Sequence, residues 1–78
     1  MRVYIAYKEQ DINDYEVKLI AVNSTRELAL EKINEDIKAF KAEHGLSEEE
    51  YREIESNWEY NTGIDYCIWG LEEKEVDK

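Results

Sequence analysis

His44 is the chain's only histidine and Cys67 its only cysteine, so imidazole and thiol chemistry each rest on one residue. His44 stands beside Gly45 at the end of a helical run, where an imidazole suits the negative end of the helix dipole. No second imidazole is present to share a proton with it. Cys67 lies between Tyr66 and Ile68 and reads as a small buried hydrophobe, not a nucleophile. Being alone, it excludes an internal disulfide and a multi-cysteine zinc site, and points to a reducing, cytoplasmic location. Asp11, Asn13, Asp14 and Glu16 offer oxygen ligands, but their segment lacks the glycine and the distal glutamate of a twelve-residue calcium loop. Gly45, Gly63 and Gly70 are too far apart to cradle a phosphate. The expectation is a non-enzymatic protein without metal or cofactor.

What the chain does carry is carboxylate. Twenty Asp and Glu face ten Lys and Arg, a formal charge of -10, while a hydrophobic content of 42% with six Tyr and two Trp demands a folded body beneath that charge. Residues 1–42 hold eight acids and seven bases, and residues 43–77 hold twelve acids and two bases. Glu48, Glu49, Glu50, Glu53, Glu55 and Glu59 crowd one predicted helix around Arg52, and Glu72, Glu73, Glu75 and Asp77 follow near the C-terminus. The first three complement the positive end of the helix dipole. Glu49 with Glu53 and Glu55 with Glu59 are like-charge pairs four apart, each costing a few tenths of a kcal/mol. Such a surface repels nucleic acid and anionic lipid and suits a basic protein groove, one that holds DNA phosphates included. Glu49, Glu53, Glu55 and Glu59, extended by Glu72 and Glu73, are the partner-binding candidates; the competing explanation is a solvated, solubilising face.

Seventy-eight residues hold one small domain with one core, and no run approaches the ~20 apolar residues of a membrane span. The chain begins MRVYIAYKEQ, without the apolar run of a signal peptide. Residues 2–8 and 15–22 alternate as two strands of a hairpin, with the polar EQDINDY stretch as its bend. Ser24 with Glu27 forms a capping box for a helix over about 25–43, whose apolar stripe is Leu28, Leu30, Ile33, Ile37 and Phe40 and whose exit is Gly45. Ser47 with Glu50 repeats the box for a second helix over about 48–59, with Leu46 stapled to Tyr51 and a stripe of Tyr51, Ile54 and Trp58. Asn61, Thr62 and Gly63 turn the chain into a third strand over 64–71, and the tail from about residue 73 frays. The predicted fold is α+β, one domain over residues 1–78, in the order β-β-α-α-β: two helices on one face of a three-stranded sheet with the first strand central.

That sheet leaves one face open. With Val3, Ile5, Tyr7, Val17, Leu19, Cys67 and Trp69 turned to the helices, Tyr4, Ala6, Ile20, Val22, Tyr66 and Ile68 lie opposite. Tyr4, Ile20, Tyr66 and Ile68 then form a second candidate surface, for a partner or for a second copy in a homodimer.

The segments VYIAY, YEVKLIAV and NSTRELALEKI, with Ser24, Thr25, Glu27 and Ala29 at the strand-to-helix junction, resemble small proteins encoded by bacteriophages and mobile elements. The resemblance covers residues 3–40 and implies an inhibitor of a host defence system, acting in the host cytoplasm by occluding a partner's surface. Two functions are therefore expected to compete: an acidic inhibitor of a basic partner, and a homo-oligomeric or accessory module associating through the sheet.

Overall fold

The computed structural model describes residues 1–76; Asp77, counted above in the C-terminal acidic cluster, lies outside the described residues. The elements are β1 (Arg2–Ile12), β2 (Asp14–Asn23), α1 (Arg26–His44), α2 (Glu48–Asn57), β3 (Glu59–Asn61) and β4 (Tyr66–Glu75). They form a four-stranded antiparallel sheet in the order β2-β1-β4-β3, which corrects the three-stranded expectation. The additional strand comes from residues assigned to the end of the second helix and the turn after it. That helix stops at Asn57 because Trp58 takes a left-handed conformation at φ 57°, and the chain then pairs Glu59 with Ile68 and Asn61 with Tyr66. This short strand reverses the chain once more, so β4 meets β1 antiparallel along its whole length.

The hairpin is also longer than its polarity suggests. Only Asn13, at φ 73°, turns the chain; the polar residues on either side pair as strand, Asp11 opposite Tyr15 and Gln10 opposite Glu16. At the other end β4 continues through Glu75, paired with Arg2, so residues 73–75 are strand and not a frayed tail.

α1 is capped by Thr25, whose side chain accepts from the Leu28 amide, one residue later than the Ser24 expected. Gly45 closes it in the left-handed region at φ 60°. α2 starts with the full capping box: the Ser47 amide donates to Glu50 Oε1 at 3.0 Å and the Glu50 amide to Ser47 Oγ at 3.2 Å. The core is Ala6, Ile33, Ile37, Phe40, Ile54, Cys67 and Trp69. Ala29 is buried on α1, whereas Leu28 is exposed.

Ala6, Cys67 and Trp69 mark the sheet face that the helices cover. Strand alternation then places Tyr4, Lys8 and Gln10 of β1 on that same side. A bulge between Ala6 and Tyr7 leaves Ile20 without a cross-strand partner, and both Ile20 and Ala21 pack on the core. The face assignment of β1, and of β2 as far as Ile20, is thus opposite to the expected one: Val3, Ile5, Tyr7, Val17 and Leu19 point away from the helices, while Val22, beyond the bulge, lies on the open face as expected. The physical reason is pairing across the layers: Lys8 on β1 and Trp69 on β4 both donate to Asp36 of α1, which fixes the side those residues take, and alternation then leaves Val3, Ile5 and Tyr7 outside.

Candidate functional site

The face opposite the helices is built row by row from the strand register. Tyr15 of β2, Asp11 of β1, Tyr66 of β4 and Asn61 of β3 form one row; Val17, Glu9, Ile68 and Glu59 the next; Leu19, Tyr7 and Gly70 the third; Val22, Ile5 and Glu72 the fourth; Val3 and Lys74 the last. No helix covers it. Leu19 is 67% exposed, Val17 61%, Tyr15 58%, Val22 53% and Ile68 40%, values ordinary for lysine and costly for a run of aliphatic side chains. At about 150–200 Å² for a fully exposed large side chain, these five residues alone present roughly 500 Å², near the top of the range for monomers.

Two contacts order this face. The Glu9 carboxylate accepts from the Tyr15 hydroxyl at 2.9 Å and from the Tyr66 hydroxyl at 3.5 Å, which ties the two rings to the sheet from either side of β1. The bond to Glu9 raises the pKa of Tyr15; burial, then Glu9, raises that of Tyr66. In the middle row the Tyr7 ring lies over Gly70, so close that a Cβ there would stand 2.4 Å from Tyr7 Cζ. The glycine lets an aromatic ring lie against the backbone of the neighbouring strand.

The edge of the sheet beside this face is guarded. β2 is an edge strand of ten residues, and it carries Glu16 and Lys18 on the helix side, 2.9 Å apart, together with the bulge at Ile20. Inward charges and bulges are the devices that discourage strand addition. The backbone of this edge is protected while the apolar face beside it is not.

The acidic candidates are divided among several environments. Glu48 pairs with Lys41 at 2.6 Å, and this bond holds its carboxyl below the usual range; Glu50 serves the cap; Glu55 accepts from the Tyr51 hydroxyl at 3.3 Å. Glu49 is exposed on α2. Glu53 and Glu59 meet Glu50 around a concavity of about 290 Å³ with Asn57, Asn61 and Thr62, although Glu59 belongs to β3 and not to the helix. Glu72 and Glu73 take opposite faces of β4, about 13 Å and about 17 Å along the strand from Glu59's partner Ile68. Glu73 lies 3.4 Å from the Arg2 guanidinium.

Of the sheet-face candidates, Tyr66 and Ile68 lie on the open face, and Tyr4 and Ile20 lie on the helix side. Tyr15, Val17, Leu19, Ile5 and Tyr7 take their place. Their alternation marks them as one face in the sequence; which layer that face meets is not written there. On the covered side Asp36 Oδ2 accepts from Lys8 Nζ and from Trp69 Nε1, both at 2.8 Å, a pairing across α1, β1 and β4 that the linear pattern hides. The His44 ring stacks on Phe40 at 4.1 Å between centroids. Burial pushes the Cys67 thiol up to about 12, far from a thiolate nucleophile. Among the described residues no group of His, Cys, Asp and Glu is arranged to hold a metal ion, and no helix is long and apolar enough to cross a membrane.

Comparison with protein-family models, with curated proteins and with solved structures gives no match.

Proposed function

We propose that this chain is a non-enzymatic protein-interaction module whose working surface is the open face of its sheet. One observation carries the reading: Tyr15, Val17, Leu19, Val22 and Ile68, five of the exposed large hydrophobic side chains, share a single face over which the described residues place no third layer. Leaving them in water forgoes about 25 cal/mol per Å² of apolar surface, roughly 10 kcal/mol over the patch estimated above. A partner recovers part of that on docking. The tyrosines supply the rigid, amphipathic contacts that dominate interface energetics.

A second reading draws on the concavity ringed by Glu50, Glu53 and Glu59, which suits a lysine or arginine side chain of a basic partner and so supports the acidic-inhibitor expectation. The two readings separate in one experiment. The protein is used to capture partners from its native cell, and capture is repeated with Val17→Lys/Leu19→Lys and with Glu53→Gln/Glu55→Gln/Glu59→Gln, all three proteins showing the same circular dichroism. The sheet-face reading expects the lysine pair to abolish capture and the glutamine triple to spare it, with little loss at high salt. Capture lost on glutamine substitution and with rising salt, but not with the lysine pair, overturns it in favour of the acidic surface.

A further inference from the structure

Resting on the sheet-face reading, we infer that the occupant of the open face is a second copy of this chain, packed sheet on sheet with its strands antiparallel to those of the first. The area is of the right order. Two copies offering roughly 500 Å² each from the five most exposed side chains, with Ile5, Tyr7 and Tyr66 between them, approach the ~1,200 Å² at which specific protein interfaces begin. The guarded β2 edge directs association away from strand addition and onto the face.

Charge selects the orientation. Lys74 is the only base that strand alternation turns to this face among the described residues, and it stands in the last row beside Val3. Glu72 stands one row from it, and Asp11, Glu9 and Glu59 stand toward the opposite end. A two-fold axis along the strands would bring each end against its own copy and set Asp11 and Glu9 against Asp11 and Glu9. A two-fold axis across the strands, through the row of Leu19, Tyr7 and Gly70, instead brings Lys74 of each copy toward Asp11 of the other. Glu9, one row from the centre, already accepts from Tyr15 and Tyr66, so covering it leaves it with partners; Glu72, one row on the other side, then stands opposite Ile68 of the other copy. Leu19 then lies on the axis, facing its own counterpart across the ~10 Å that separates packed sheets.

Sedimentation of the purified chain alone, over about 10–300 µM and at low and high sodium chloride, tests this. The expected result is a monomer–dimer equilibrium that salt strengthens, because two chains of charge -10 repel until screened. Leu19→Lys is expected to weaken dimerisation at least 100-fold and Lys74→Glu about fivefold, with Asp11→Lys restoring the Lys74→Glu variant. Leu19→Cys should join to itself through a short bis-maleimide, with the wild type, whose Cys67 is buried, as the unlinked control. A wild type that stays monomeric throughout, or a dimer indifferent to Leu19→Lys, overturns the inference. A dimer in which Leu19→Cys does not self-link overturns the antiparallel arrangement. If the chain is monomeric while capture from cells still depends on Val17 and Leu19, only the second copy is lost; if neither depends on the face, the functional reading falls with it.

Discussion

Asp36 holds the most demanding polar position in the molecule. Its Oδ2 takes hydrogen bonds from both Lys8 and the Trp69 indole at 2.8 Å, with the Lys8 side chain only 14% exposed. Asp36→Ala removes the acceptor and strands both donors, so it should destabilise the fold by about 2–3 kcal/mol, read as a lower urea midpoint. Lys8→Met removes one donor and keeps the apolar stem, while Asp36, 25% exposed, keeps the Trp69 indole, so it should cost only about 1 kcal/mol. Cys67 gives a pH signature. Its thiol ordinarily titrates near 9 and in the fold near about 12, so above pH 9 the unfolded chain releases a proton that the native chain retains. Stability from this group is complete below pH 9 and falls as pH rises toward 12. Urea midpoints of the wild type should therefore drop more steeply between pH 9 and 11 than those of Cys67→Ala; parallel declines would exclude the assignment.

At the level of elements, helix starts were legible and strand boundaries were not. Serine or threonine followed by glutamate signals a cap wherever it occurs, and both helices begin within a residue of their predicted starts. The cap of α1 is nevertheless Thr25. Thr25→Ala should lower stability by about 1 kcal/mol and Ser24→Ala by only a few tenths, measured by chemical denaturation; the reverse ranking would reinstate Ser24. β3 is hidden because Glu59 continues a helical stretch in composition and Asn61 reads as the start of a turn. Its existence depends on Trp58 turning left-handed, with the Trp58 carbonyl accepting from the Trp69 amide at 2.9 Å, a contact eleven residues away that no local pattern announces. The polar run around Asn13 resembles a bend for a related reason: its side chains satisfy one another across the sheet, Gln10 with Glu16 and Tyr15 with Glu9, and polarity without that pairing looks like a loop.

The whole molecule is flatter than its length requires. Its radius of gyration is 13.3 Å, against about 11.5 Å for a compact domain of this size, and its shortest extent is 17 Å, two layers thick. A third layer supplied by a second copy would complete the sandwich. The melting temperature should then rise with protein concentration, by several degrees over a hundredfold range, because dimerisation stabilises the folded chain by mass action. A melting temperature independent of concentration would place the monomer's stability in its own core alone.

Composition and periodicity by themselves determined an acidic, folded α+β chain with two capped helices, a leading hairpin, and apolar rows that alternate along each strand. They grouped Tyr15, Val17 and Leu19 correctly because alternation depends only on neighbours in the chain. Which row meets the helices was decided in three dimensions, where Asp36 of α1 takes up Lys8 and Trp69 and the bulge at Ile20 turns two successive residues inward. The same holds for the carboxylates: one dense stretch of sequence becomes a cap, an ion pair, a tyrosine acceptor and the wall of a concavity, because a helix and a strand point consecutive residues in different directions.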